Sequence, residues 1–185
     1  MAINDIVAAS HFFVSRHVKA GATVVDATAG NGYDTLFLAR LIGEEGRVHA
    51  FDVQQKALDN TRALLAKNSL EHRVSLYLES HSNIPLRVST PVQAVMFNLG
   101  YLPGGEREVT TCPTETLAAL QASLEVLARG GIISVVTYSG HLGGMEEEKA
   151  VAEWCTGLSS GKCTVLRLQV LNKESCPPQL WLIKG

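Results

Sequence analysis

The sequence has no excess of positive charge. Its 16 lysines and arginines face 18 aspartates and glutamates, for a formal charge of −2 and a pI near 6.3. A general polyanion binder held on nucleic acid by surplus cations is excluded, so any RNA contact must be local. Paired cysteines are also missing. The four cysteines, at 112, 155, 163 and 176, form no C-x-x-C pair, which argues against a zinc site or a disulfide framework and leaves reduced thiols of a cytoplasmic protein as the expectation. No metal site is expected. Glycine and proline stand near average usage while 46% of the residues are hydrophobic, which excludes collagen-like, low-complexity and disordered chains.

Long apolar runs are absent too. The longest uncharged stretches, about 88–105 and 130–145, carry Pro, Asn, Gln, His and paired glycines, and neither can span a bilayer. The first residues include Asp5, Ser10 and His11 and lack the cationic start and continuous apolar run of a signal peptide. What is present is 185 residues, a length that suits one domain able to bury a core unaided.

Ile3, Ile6, Val7, Ser10, Val14 and Val18 recur at helical spacing, predicting an amphipathic helix over about 3–18 that ends before Gly21. Short β-rich runs follow at 23–27, 47–52, 73–78, 92–97 and 131–137, alternating with helical patterns at about 33–42, 54–68, 113–128 and 144–158. Such alternation means parallel pairing with helical crossovers. The gap 80–91 holds little more than a helical turn, because Pro85 interrupts it. Past residue 160 two strand-like runs, 163–171 and 179–183, lack a helix between them and predict a hairpin at the sheet edge. The expected fold is a single doubly wound, Rossmann-like α/β domain over 1–185, its seven-stranded sheet mostly parallel with an antiparallel C-terminal hairpin.

In such a sheet ligands bind at the carboxyl ends of the strands, near the switch point. The first strand runs into Asp26-Ala27-Thr28-Ala29-Gly30-Asn31-Gly32-Tyr33-Asp34-Thr35. Gly30 and Gly32 permit a sharp turn and close backbone approach, and the next helix offers unpaired N–H groups. Twenty residues after Gly32, Asp52 ends the second strand. It can accept from both hydroxyls of a ribose, or cap the helix that begins near Gln54.

A dinucleotide fingerprint requires a third glycine where this chain has Thr35. Asp26, beside the turn, would repel a pyrophosphate and welcome a cationic amino group. Adenosine with a cationic amino-acid tail describes S-adenosylmethionine, so a methyl-donor site is expected. Ser80 or His81, at the end of the third strand, is placed to meet the adenine amine.

The fourth strand ends in Asn98-Leu99-Gly100-Tyr101-Leu102-Pro103-Gly104-Gly105. An amide at a strand end with an aromatic three residues on suits the side of a sulfonium methyl where an acceptor lies; turn capping by Asn98 and surface packing of Tyr101 is the plain alternative. Leu99 and Gly100 stand where methyltransferases acting on planar ring amines carry two prolines. The fifth strand leads to His141 between glycines, a candidate proton relay or a hydrogen-bonding spacer. Glu146, Glu147 and Glu148 read as a solvated first helical turn rather than a metal site.

Ser10-His11, DATAGNGYDTLFLA (26–39), NLGYLPGG (98–105), TYSGHLGG (137–144), QVLNK and PPQLWLIKG together resemble the bacterial putative rRNA methylase family of class I S-adenosylmethionine-dependent methyltransferases. That family includes tRNA 5-aminomethyl-2-thiouridine methyltransferases. The resemblance covers nearly the whole chain; NLGYLPGG and GHLGG are its specific parts. It implies N-methylation of the 5-aminomethyl group of wobble uridine 34, on the anticodon stem-loop of tRNA, by a homodimer. The donor-binding set is then Asp26, Thr28, Gly30, Asn31, Gly32, Asp34, Thr35, Asp52, Gln54, Ser80, His81 and Asn98, with Asn98, Tyr101 and His141 as the catalytic set. Arg16, Lys19, Arg107, Lys149 and Lys173 can border an RNA-facing rim or serve as ordinary surface charges. Methylation of ribosomal RNA or a small metabolite, and a nucleotide-binding module without catalysis, are the competing functions.

Overall fold

The computed structural model describes residues 5–89, 91–100, 102, 104, 110–141, 143–173 and 176–185. The chain opens with α1 (Ile6–Ser15), capped by the Asp5 carboxylate, which accepts the Ala8 N–H at 2.9 Å. Then come β1 (Thr23–Asp26), α2 (Tyr33–Leu41), β2 (Arg47–Asp52), α3 (Gln55–Lys67), β3 (Val74–Leu78) and the one-turn α4 (Ile84–Arg87). The second half holds β4 (Val92–Asn98), α5 (Pro113–Val126), β5 (Leu127–Thr137), α6 (Gly144–Gly157), β6 (Thr164–Leu168) and β7 (Gln179–Lys184).

Seven strands form one sheet in the order β3-β2-β1-β4-β5-β7-β6. The first five are parallel; β7 pairs antiparallel with both β5 and β6, so the hairpin inserts its second strand next to the parallel block. Both faces are covered. One apolar layer collects Val14, Val24, Leu38, Ile42 and Leu65, the other Phe51, Phe97, Leu120, Ile133 and Ile183. The near-continuous burial of β1, β4 and β5 follows from this two-sided covering.

Three expectations need adjustment. The first helix is shorter than 3–18: it ends at Ser15, turns follow, and Gly21 takes a positive φ of 78°; Ile3 lies outside the described residues. Leu127 completes the leucine spacing of α5 yet opens β5, since its side chain fills the place a Cβ would occupy on Gly131, 2.9 Å from Leu127 Cδ1. A register shift between Val92 and Ala94 accompanies this early start of β5. Of the glutamates at the start of α6, Glu146 is exposed as expected, but Glu147 is not part of a solvated turn: it is 2% exposed.

α1 is fastened to the sheet by a buried hydroxyl pair, Ser10 Oγ and Ser134 Oγ, 2.6 Å apart. Removing one partner strands the other away from water, whereas removing both leaves nothing unpaired. Ser134→Ala is therefore expected to lower stability by about 1–3 kcal/mol, and adding Ser10→Ala to cost distinctly less than a second such loss. Urea unfolding of the two single variants and the double variant measures it.

Candidate functional site

β1 lies between β2 and β4. Beyond its end the Ala27 N–H still bonds to Met96 O at 2.8 Å, and the Ala29 N–H to Phe51 O at 2.8 Å. The chain thus leaves one neighbour for the other across the switch point, the place where open α/β sheets bind their ligands. Gly30 and Gly32 turn it there with φ of 54° and 86°. A Cβ on Gly32 would lie 2.9 Å from the Thr61 Cα on α3, so this glycine serves close packing as well as the turn.

Asp26 has no exposed surface. One carboxylate oxygen accepts the Thr28 N–H at 3.1 Å and the other the Thr35 hydroxyl at 2.5 Å. Thr35, unexposed as well, thus contributes a hydroxyl where a dinucleotide motif has its third glycine. Burial, then the nearby Asp34, pushes the Asp26 carboxyl up to about 7, against the lowering effect of the Thr35 and Thr28 bonds.

Asp52 accepts from the Gly30 N–H through Oδ2 and from the Gln54 N–H through Oδ1, each at 2.9 Å. The helix that follows is capped at Gln54 and begins at Gln55, so Asp52 braces the turn into α3 and the glycine loop together. Each carboxylate oxygen has a second lone-pair direction, which leaves room for two ribose hydroxyls. Asn31 Oδ1 accepts from Asn60 Nδ2 at 2.9 Å, tying the glycine loop to α3.

Ser80 and His81 differ in what they have to offer. The Ser80 hydroxyl donates to Glu115 at 2.6 Å and is engaged in its own turn. His81 is buried, with Nδ1 3.2 Å from the Ala27 carbonyl, to which it donates, while its Nε2 has no hydrogen-bond partner among the described residues. Burial holds this imidazole below its usual pKa, so it is neutral and presents an acceptor nitrogen. An exocyclic amine is the kind of donor that nitrogen lacks.

At the end of β4 the Asn98 N–H donates to Thr28 Oγ1 at 2.8 Å, and Asn98 Nδ2 donates to Asp34 Oδ2 at 3.3 Å. The other Asp34 oxygen lies 2.5 Å from His11 Nε2. His141 packs against the same loop: a Cβ on Gly100 would sit 3.3 Å from its Nε2, and one on Gly144 3.0 Å. Asn98 and His141 therefore border one rim through Gly100, while Tyr101 lies outside the described residues. Among the described residues no group of three or more His, Cys, Asp or Glu is arranged to hold a metal ion, and no helix is long and apolar enough to cross a membrane.

Two contributors had no local signal in the sequence. His11 reaches Asp34 from α1, across a separation of 23 residues. Glu147 accepts the Thr111 hydroxyl and the Thr116 hydroxyl, both at 2.7 Å, and Thr111 Oγ1 in turn accepts the Gly100 N–H at 2.8 Å. Only the fold brings these groups together.

Residues 48–184 match the model of the family described as "Putative rRNA methylase". The chain belongs to that family. It is 45% identical to a putative rRNA methylase from Clostridium thermocellum, with a TM-score of 0.97 and coverage of 100% of this chain and 99% of that one. A putative methyltransferase from Streptococcus mutans, solved in complex with SAH, is 38% identical with a TM-score of 0.90, covering 98% of each chain. The chloroplastic tRNA (mnm(5)s(2)U34)-methyltransferase of Arabidopsis thaliana is 37% identical over 95% of this chain and 68% of its own length. The rRNA methylase family has the class I fold and uses S-adenosylmethionine, and this member is a methyltransferase of that kind.

The Asp26 carboxyl makes stability depend on pH. Its ordinary pKa is 3.8 and its folded value about 7, so between those values the folded state keeps a proton that the unfolded chain has released. Stability from this group is complete below the lower value, falls as pH rises through the interval and levels off above it. Asp26→Asn, which cannot ionise, is expected to flatten that fall. Unfolding free energies of both proteins measured from pH 4 to 8 should converge at the acid end and separate toward neutrality, with the variant the more stable.

Proposed function

We propose that this chain transfers a methyl group from S-adenosylmethionine to the 5-aminomethyl group of wobble uridine 34 in tRNA, giving 5-methylaminomethyl-(2-thio)uridine. The observation that carries the acceptor is the 37% identity, over 95% of the chain, to the chloroplastic enzyme named for that nucleotide. The Asn98-Leu99-Gly100 loop agrees with it: without paired prolines the strand end is suited to an aliphatic amine better than to a flat ring amine.

The residues fit the donor. Asp52 has lone pairs left for the ribose, the buried His81 nitrogen lacks a donor that adenine supplies, and Asp26, enclosed beneath the glycine turn, supports the cationic tail by its field rather than by direct contact. Thr28, Asn31, Gly32, Asp34, Thr35 and Gln54 shape or brace the same turn. When bound, the donor supplies an electrophilic methyl carbon.

The acceptor amine must be neutral to attack, and an alkylamine has a pKa near 10. Asn98 and Tyr101 orient it. His141 or a water takes the proton. Most of the acceleration comes from in-line placement, which can supply roughly 7–11 kcal/mol without a covalent intermediate. Lys19 does not lie on the rim, because its N–H bonds to Gln93 Oε1 at the amino end of β4, the opposite end of the sheet. RNA reaches the rim along local cations such as Lys173, and a homodimer would join two such modest patches. Arg16 lies over the Phe12 ring and Lys149 pairs with Glu153, so these two are partly engaged already; Arg107 lies outside the described residues.

Purified protein incubated with labelled donor and tRNA carrying 5-aminomethyl-2-thiouridine is expected to label that nucleoside, identified by mass spectrometry of the digest. Labelling of ribosomal RNA or a metabolite alone would overturn the tRNA assignment, and binding without turnover would indicate a nucleotide-binding module. Asp52→Ala should weaken donor binding by roughly 2–3 kcal/mol, about 30- to 150-fold. Affinity for tRNA should fall steeply with salt if about five phosphates are contacted. A pH–rate profile unchanged in His141→Ala assigns the proton to water instead.

A further inference from the structure

Asp34 takes partners from two other elements, one on each oxygen. His11 Nε2 lies 2.5 Å from Oδ1, and the imidazole is stacked flat on Phe37, with centroids 3.9 Å apart and planes inclined by 1°. The helix carrying it is fastened to β5 by the neighbouring Ser10–Ser134 pair. So short a contact requires a proton between the ring nitrogen and the carboxylate, and stacking leaves the ring little freedom to turn away. On the other oxygen, Oδ2 accepts from Asn98 Nδ2 at 3.3 Å.

An ionised carboxylate can only accept, so it tolerates only the NH2 end of an amide. Turned by half a rotation, Asn98 would oppose its carbonyl oxygen to that of Asp34. Asp34 is only 7% exposed, and away from water such an opposition is expensive. The Asn98 backbone is already held by its N–H bond to Thr28 Oγ1. What remains for Asp34 to decide is which end of the amide is left for a ligand, and it leaves the carbonyl oxygen.

We propose that the His11–Asp34 pair is a positioning device that fixes the Asn98 amide with its carbonyl oxygen toward the methyl acceptor and so selects acceptors bearing an N–H donor. The proposal rests on the amine-methylation reading above. A neutral primary amine has two N–H bonds and one lone pair. Donating one N–H to Asn98 Oδ1 aims the lone pair. The C–N bond forms as the C–S bond breaks, the sulfonium becomes a neutral thioether, and the positive charge arriving on nitrogen is relieved when a proton passes to water or His141. An anionic oxygen acceptor would meet the same carbonyl as a repulsion. His11 acts through Asp34, and Asp34 through Asn98.

The test uses the full chain with hypomodified tRNA, together with the Asn98 side-chain amide resonance of protein labelled with 15N-asparagine and saturated with S-adenosylhomocysteine, recorded without RNA. His11→Ala and Asp34→Asn are each expected to lower kcat roughly ten- to a hundredfold, with the KM for tRNA little changed in both and the affinity for S-adenosylhomocysteine little changed in His11→Ala. The double variant should lose no more than the worse single one. His11→Gln, which keeps an N–H donor of similar reach, should recover most of the rate, and the Asn98 resonance should move in Asp34→Asn. Additive losses, losses confined to KM or donor affinity, or an Asn98 resonance indifferent to Asp34→Asn would each overturn the proposal. A wild-type protein inactive on that tRNA whose Asn98 resonance still responds to Asp34→Asn would support the positioning device and overturn the acceptor assignment instead.

Discussion

A carboxyl group without exposed surface, Asp26, is the constraint around which the carboxyl ends of the strands are organised. Its two oxygens draw in the Thr28 N–H and the Thr35 hydroxyl, so the chain wraps round it between β1 and α2, through a turn with two left-handed glycines. Burying that group is unfavourable, as its raised pKa records. Asp34 and Asp52 stand nearby and raise it further. Among the described residues the lysine and arginine ion pairs lie elsewhere, at Asp59, Glu44, Glu79 and Glu153, and only a histidine pairs with Asp34. A crevice whose carboxyls are not neutralised by resident lysine or arginine is prepared for a cation that arrives with the ligand. That is the physical difference from a phosphate-binding glycine turn, which relies on similar backbone geometry and the opposite charge.

The sheet order explains why this cluster can exist at one point. Because β1 sits centrally, with β2 on one side and β4 on the other, the three strand ends deliver Asp26, Asp52 and Asn98 side by side from positions far apart in the chain. Thr28 couples them, donating its N–H to Asp26 and accepting the Asn98 N–H. The glycine turn and the end of β4 are therefore not separately positioned: a shift of the first turn is passed directly to the end of β4.

Much of this was legible in the sequence because it depends on local periodicity. The alternation of β-rich runs with helical spacing gave the parallel block, and the missing helix after residue 160 gave the hairpin. The acid, glycine turn and second acid read correctly as neighbours because they end consecutive strands. Failures occurred where a contact spans the chain. Leu127 satisfies the spacing of α5 but is claimed by the empty side of Gly131. Glu147 looks like any acidic residue in a first helical turn until Thr111 and Thr116 are found against it. His11 carried no role, because nothing near it in the chain announces Asp34. Ser80 and His81 are adjacent in sequence and equivalent by motif, yet only the fold hands one to Glu115 and leaves a buried nitrogen of the other without a hydrogen-bond partner among the described residues.

The loop after β4 obeys a logic complementary to that of the glycine turn. Glu147 is as deeply enclosed as a core leucine, and both of its oxygens are satisfied by threonine hydroxyls. A hydroxyl pairs with a carboxylate without adding a full charge of its own, so the brace holds the loop without cancelling the negative field of the crevice. The hold continues from Thr111 into the Gly100 N–H and is doubled by the Thr111 N–H returning to Gly100 O at 3.0 Å. It ends at the residue against which His141 packs. The field of Glu147 also reaches His81, raising its pKa against the stronger pull of burial. Two buried acids, Asp26 before the glycine turn and Glu147 behind the loop after β4, thus each hold a strand-end loop in place, and each does so through threonine.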